Sequence, residues 1–94
     1  MPDDRLSDDV LAELEGISRR GAPPPWRSMV EGRDHTSGDS FIMVGVGDQR
    51  GEDIYVLRDG GRPAQEPELD LIVAARNHLP ELVAEIRRLR RSRG

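Results

Sequence analysis

PELDLIVAARNHLPELVAEIRRLRR, which runs from Pro67 to Arg91, decides the fold of this chain. Its apolar residues recur mainly in steps of three, four or their sum, which places them along one side of a helix of 3.6 residues per turn. They are Leu69, Ile72, Val73, Leu79, Leu82, Val83, Ile86 and Leu89. Pro80 interrupts the pattern because proline has no N–H to donate. The stretch therefore forms either one long kinked helix or two helices that meet at a corner, with Pro80 in the first position of the second.

A shorter amphipathic helix is predicted near the N-terminus. Ser7 is a good N-cap, acidic residues follow it at the positive end of the helix dipole, and Gly21 suits the position just beyond the last turn. The predicted buried stripe consists of Val10, Leu11, Leu14 and Ile17. Three prolines, Pro23 to Pro25, then predict an extended crossing that ends at Trp26, because each proline biases its predecessor away from the helical region.

Three short strands are predicted between the helices, over about residues 26–31, 40–47 and 53–58. Loops rich in turn formers separate them, which favours an antiparallel meander. The sequence thus predicts a single α+β domain over residues 1–94, with an N-terminal helix, a three-stranded antiparallel meander and a long kinked or broken C-terminal helix packed on the sheet. Both helices are expected to cover one face of the sheet. Flexible ends are expected at residues 1–6 and 92–94.

The composition predicts a thin hydrophobic core. Hydrophobic residues make up 35% of the 94 residues and charged residues 34%, so little apolar area is available per residue. Self-association would add buried area, and a symmetric dimer is the commonest oligomer. We therefore expect a homodimer.

The chain contains no cysteine, which excludes a disulfide framework, a thiol nucleophile and zinc sites of the cysteine type. No cofactor or metal is expected. No segment approaches the roughly 18 apolar residues of a membrane span, and the N-terminus is acidic where a signal peptide would be basic. These features predict a cytoplasmic protein without a membrane contact.

All fourteen basic residues are arginine. There are two alternative explanations: codon bias, and selection for planar, bidentate contacts to anions. The charge is also polarised, because residues 1–15 carry six acids and one arginine, whereas residues 81–94 carry five arginines and two glutamates. The two ends should attract each other, within one chain or between chains.

Two segments carry a resemblance to a known family. They are APPPW, residues 22–26, and the closing block LDLIVAARNHLPELVAEIRRLR. Together they resemble the Ead-like family of small phage and actinobacterial proteins, in which a helix leads to a TPGPW element, a variable β segment and a closing DAxFIAxARxDxPxLLxExRRL helix. The matching residues of the block are Ile72, Ala74, Ala75, Arg76, Pro80, Leu82, Glu85, Arg87, Arg88 and Leu89. Leu71 stands where phenylalanine is usual, and Pro24 where glycine is usual. The resemblance implies a phage, prophage or mobile-element accessory protein and implies no active site.

Two segments superficially suggest chemistry. One loop gathers Asp34, His35, Ser37, Asp39 and Ser40. Catalysis and metal binding need partners held by separate rigid elements, so this pattern predicts ordinary turn chemistry.

GVGDQRG, residues 45–51, has glycines like a phosphate-binding loop, but a predicted strand follows it instead of a helix, which favours a hairpin turn. The sequence therefore predicts a protein that is not an enzyme.

The remaining candidates are binding residues: Trp26, Arg76, Arg87, Arg88 and Arg91. The arginines at the C-terminal end match the helix dipole and could contact a partner, while a net charge of −4 disfavours nucleic acid. Trp26 is either a packing anchor or an exposed binding anchor. We expect a small accessory protein that binds a macromolecular partner, most simply another protein.

Two alternatives stay open. An oligomer could sequester a phosphorylated nucleotide signal through Arg27, Arg50, Arg58 or Arg76, because arginine suits phosphate bidentately. The acidic N-terminal helix could instead mimic a polyanion in an immunity-type or antitoxin-type inhibitor.

Overall fold

The fold consists of two helices and a small sheet, and the computed structural model describes residues 6–36 and 38–92. In chain order the elements are helix α1 (Asp8–Arg20), strand β1 (Trp26–Met29), strand β2 (Phe41–Val44), a single 3-10 turn (Gly47–Gln49) and helix α2 (Glu66–Ser92). The α+β class is confirmed. Most of the residues expected to form flexible ends lie outside the described range.

Helix α1 begins as the sequence predicts. The N–H of Val10 donates to the Ser7 side chain at 3.1 Å, and two aspartates occupy the first turn. Gly21 follows the helix in an extended conformation with φ of −86°, so the backbone there does not require a glycine. Of the predicted stripe only Leu11 is fully buried, whereas Val10 and Ile17 are exposed. The buried face of α1 is therefore narrower than predicted.

Strands β1 and β2 form a two-stranded antiparallel sheet in which Trp26 lies opposite Val44. The predicted third strand over residues 53–58 is not found in the described chain. Ile54 makes one bridge to Ile42, through two hydrogen bonds of 2.8 and 2.9 Å. The carbonyl of Val56 then accepts from Ala64, because the chain turns back on residues 62–64. The segment has the apolar residues of a strand, but its backbone hydrogen bonds are divided between β2 and residues 62–64.

Helix α2 is continuous over 27 residues, with Pro80 inside it. The alternative of two separate helices is therefore wrong. At 1.5 Å per residue the helix is about 40 Å long, much longer than a four-residue strand. Its N-terminal part packs on β1 and β2, and α1 packs on the remainder.

The expected position of α1 on the sheet is also wrong. Within the described residues α1 contacts α2 and neither strand. The sheet side of the molecule has one buried cluster, formed by Val30, Ile42, Val44, Ala64 and Leu69. Leu11 of α1 and Val83 of α2 are buried outside this cluster. A short sheet cannot cover two helices side by side. Helix α2 therefore forms one small core with the sheet and, further along its length, a second small core with α1.

Trp26 lies at the margin of the sheet-side core. Its indole is half-buried and packs against the same cluster as Ile72. Asn77 of α2 holds the backbone of Trp26 on both sides: the Asn77 Oδ1 accepts from the Trp26 N–H at 2.7 Å, and its Nδ2 donates to the Trp26 carbonyl at 2.8 Å. The amide of Asn77 thus satisfies the edge of β1 that no other strand of the described chain pairs with.

Asn77→Ala should destabilise the fold by about 2 to 6 kcal/mol, because it leaves two partly buried backbone groups without a partner at about 1 to 3 kcal/mol each. Urea unfolding followed by circular dichroism measures this loss. Gln49→Ala, which removes a similar amide from an exposed turn, is the matched control and should change stability little. Equal stability of the two variants would contradict the role given to Asn77.

Candidate functional site

The last turns of α2 contain Arg87, Arg88, Arg90 and Arg91, called here the arginine-rich end. Two of these arginines reach back to α1. Arg87 donates to Glu15 at 3.1 Å, and Arg90 donates to Asp8 at 2.8 Å and also to the carbonyl of Leu6. The attraction expected between the two ends of the chain therefore occurs within a single molecule.

The other two arginines of this end point elsewhere. Arg88 pairs with Glu85 one turn earlier, through an Nε–Oε1 hydrogen bond of 3.0 Å. This pairing lowers the pKa of Glu85 and raises that of Arg88. Arg91 has no ion pair within the described residues. It lines a shallow depression of about 390 Å³ together with Asp8, Arg87 and Arg90.

Trp26 and Arg76 come together at a second place, called here the Trp26–Arg76 corner. The Arg76 guanidinium carbon lies 5.8 Å from the centre of the indole, within the range of a cation–π contact. Arg76 also donates to the buried Ser18 hydroxyl at 3.0 Å, which ties α1 to α2. The Trp26 Nε1 and Arg76 Nε atoms are buried and find no hydrogen-bond partner in the described part of the chain.

An open groove of about 450 Å³ adjoins this corner. Its lining combines the end of α1, the proline segment and the middle of α2: Ser18, Arg19, Gly21, Pro23, Pro24, Arg76 and Pro80. The five predicted binding residues are therefore distributed over two places. Trp26 and Arg76 share the corner, whereas Arg87, Arg88 and Arg91 lie at the arginine-rich end.

The most connected polar site was missed by the sequence reasoning, which treated residues 32–39 as an ordinary loop. Arg33 donates to Glu66 at 2.7 Å and to Asp70 at 3.0 Å on α2, and its Nε donates to Asp34 at 3.0 Å. The buried Ser28 of β1 also donates to Asp70. This Arg33 cluster joins the loop after β1 to the first turns of α2.

The sequence contains little signal for the Arg33 cluster. Arg33 and Asp34 are adjacent, but Glu66 and Asp70 lie more than thirty positions further along the chain. Nothing in local periodicity connects the two segments.

The hydrogen bonds from Arg33 and then Ser28 lower the pKa of Asp70. The pKa of Asp34 is lowered mainly by the N–H of Val30 and then by Arg33.

Three of the loop residues that suggested chemistry, Asp34, His35 and Ser40, contact the backbone. Asp34 accepts from the N–H of Val30 at 2.9 Å, and Ser40 accepts from the N–H of Glu31 at 3.0 Å. The His35 Nε2 lies 3.2 Å from the Met29 carbonyl. Ser37 lies outside the described residues. Among those described, no three histidine or carboxylate side chains are placed to hold a metal.

The glycine-rich segment after β2 forms a tight turn. Gly45 has a φ of +75°, and a Cβ at this position would lie 2.2 Å from the Gln49 carbonyl oxygen. The N–H of Gly51 then donates back to the Val44 carbonyl at 2.8 Å. A bridge residue, Ile54, follows rather than a helix. Gly45 thus allows a close backbone approach in a turn, and the phosphate-loop pattern has no structural counterpart in this described segment.

Comparisons with known proteins add no relative. A scan against protein-family models found no match, and searches of curated proteins and of solved structures found none. Neither helix, over its described residues, is apolar and long enough to cross a membrane.

The Arg33 cluster predicts a loss of stability in acid. The folded state lowers the pKa of Asp70 below its ordinary value of 3.8. The unfolded chain therefore takes up protons first, so the stabilisation is complete above about pH 4 and disappears as the pH falls through the folded pKa. Asp70→Asn should lower the melting temperature at neutral pH and flatten its decline below about pH 4. Asp59→Asn, in an exposed turn, serves as the control. An acid profile of Asp70→Asn that parallels the wild type would contradict this.

Proposed function

We propose that this chain is a small cytoplasmic accessory protein of phage or mobile-element type that acts without catalysis, by binding a macromolecular partner. The resemblance of its proline–tryptophan element and closing helix to the Ead-like family supports the biological class. The polar groups of the loop after β1 support the absence of catalysis, because their hydrogen bonds hold backbone and α2 together.

One observation carries the binding proposal: the depression that Asp8, Arg87, Arg90 and Arg91 line at the end of the helix pair. Three arginines and one aspartate line it, and Arg91 among them has no ion pair within the described residues. Arginine is enriched at the centres of protein interfaces because its planar group makes several directed hydrogen bonds. A protein surface that presents carboxylates would complement this end.

The charge of the whole chain favours protein over nucleic acid as the partner. The net charge is −4, so a polyanion would be repelled by most of the surface. Glu15 and Asp8 already neutralise Arg87 and Arg90 in part. A protein surface can place carboxylates opposite a few guanidinium groups and other residues opposite the surrounding acidic surface. A nucleic-acid backbone is negatively charged throughout and cannot do this.

Charge reversal at Arg91 tests the proposal. The tagged protein is used for affinity purification from the organism that carries its gene, with quantitative mass spectrometry. A specific partner should be recovered with the wild type and lost with Arg91→Glu, since Arg91 lines the depression without an ion pair of its own among the described residues.

Arg62→Glu is the matched control, because it makes the same charge change at an exposed position outside both helices. It should retain the partner. Circular dichroism of both variants checks that α2 remains helical. Recovery of no protein, or equal recovery with both variants, would argue against the arginine-rich end as the binding surface.

A second candidate is the sequestration of a phosphorylated nucleotide. The groove beside the Trp26–Arg76 corner favours it, because Arg19 and Arg76 both line an otherwise mostly apolar hollow. Of the other arginines considered, Arg50 pairs with Asp53 and Arg58 lies 3.7 Å from Glu68. Arg76 is thus the arginine of this set that a ligand in the groove would meet.

A thermal-shift screen with nucleotides tests this candidate. A ligand at about 100 times its dissociation constant adds about 2.7 kcal/mol of stability, which raises the melting temperature of a domain of this size by about 10 to 20 °C. Arg76→Lys keeps the charge and loses the planar bidentate group, so it should reduce the shift, whereas Arg62→Lys should not. A melting temperature unchanged by every nucleotide would remove this candidate.

A further inference from the structure

The outer side of α2 carries a line of exposed leucines. Leu71 is 70% exposed, Leu82 58% and Leu89 50%. They are separated by eleven and seven residues, close to whole numbers of helical turns, so they lie on one line. This leucine stripe extends over about 27 Å of helix. It lies away from the buried Leu69 and Val83, whose side the sheet and α1 cover.

The spacing of the leucine stripe is typical of a seam between two helices. Steps of seven and eleven residues keep apolar side chains in register along a partner helix. By the same periodicity Ala75 and His78 lie between Leu71 and Leu82 on this side of α2, and the small side chain of Ala75 leaves room for a second helix. A single exposed leucine needs no explanation, but an aligned apolar row on a chain with so little core does.

We infer that the leucine stripe binds the α2 helix of a second copy of this chain, in antiparallel orientation. Leu71 and Leu89 lie nine residues on either side of Pro80. A two-fold axis near Pro80 therefore places Leu71 opposite Leu89 of the partner subunit. Leu82 then meets the segment around His78 of the partner subunit. Such a contact is self-complementary, as a symmetric dimer requires.

The charge of the whole helix agrees with this orientation. Residues 66–79 of α2 contain three carboxylates and one arginine, whereas residues 80–92 contain two carboxylates and four arginines. An antiparallel pair lays the acidic half of each helix on the basic half of the other, and it also opposes the helix dipoles. The depression at the arginine-rich end lies on the α1 side of α2 and stays open in this dimer. The inference is therefore independent of the proposed partner binding.

Light scattering with Leu82→Asp is the first test. The wild type should give twice the chain mass of 10.5 kDa, and the variant should give 10.5 kDa. Leu82 is exposed in the single chain, so the variant should keep the helical circular dichroism of a folded protein. Leu57→Asp replaces a similarly exposed leucine outside α2 and should remain dimeric. A monomeric wild type at millimolar concentration, or a dimeric Leu82→Asp, would overturn the inference.

Cysteine cross-linking tests the orientation without relying on a disrupted variant. The chain has no cysteine, so Leu71→Cys and Leu89→Cys each carry a single thiol. Under mild oxidation an antiparallel pair forms disulfide-linked dimers in the equimolar mixture of the two variants, but not with either variant alone. Cross-linking of each variant with itself would show a parallel pair. A dimer that cross-links in neither experiment would show that another surface is used. Either result would refute the inference.

Discussion

The packing of every other element on α2 is the constraint on which this structure depends. The sheet and α1 do not touch each other within the described residues, so their relative position is set only by the helix that both contact. Each contact buries few apolar side chains: a cluster of five on the sheet side, and Leu11 with Val83 outside it. Small apolar contacts of this kind specify position weakly, because similar packing is available one helical turn away.

Polar contacts fix the positions of the sheet and of α1 along α2, which the small apolar cores specify only weakly. Asn77 binds both backbone groups of Trp26, and the Arg33 cluster joins the other end of β1 to the first turns of α2. On the second core, Arg76 holds Ser18 and Arg87 holds Glu15. Each surface-exposed pair contributes little free energy by itself. Their directed geometry nevertheless fixes which turn of α2 each element contacts.

The features that the sequence predicted correctly are those set by neighbouring residues. The cap at Ser7 and the strands at FIMV and WRSM depend on residues a few positions apart. The missing third strand and the place of α1 depend on long-range competition for hydrogen bonds and apolar surface, which local patterns do not encode. Sequence also selected Trp26 and Arg76 separately, but only the folded chain shows that one stacks on the other.

Pro80 illustrates how the helix combines these roles. Two helices were expected as one alternative because proline removes the hydrogen bond to the carbonyl four residues earlier, which belongs to Arg76. The helix continues because packing on both sides of the proline supports it, and because Arg76 and Pro80 both line an open groove that solvent can enter. The missing helical hydrogen bond at Pro80 thus lies at the Trp26–Arg76 corner and at the boundary between the two cores. A continuous α2 is what keeps the arginine-rich end, the corner and the leucine stripe on one rigid element, so its stability at Pro80 determines whether these surfaces act together.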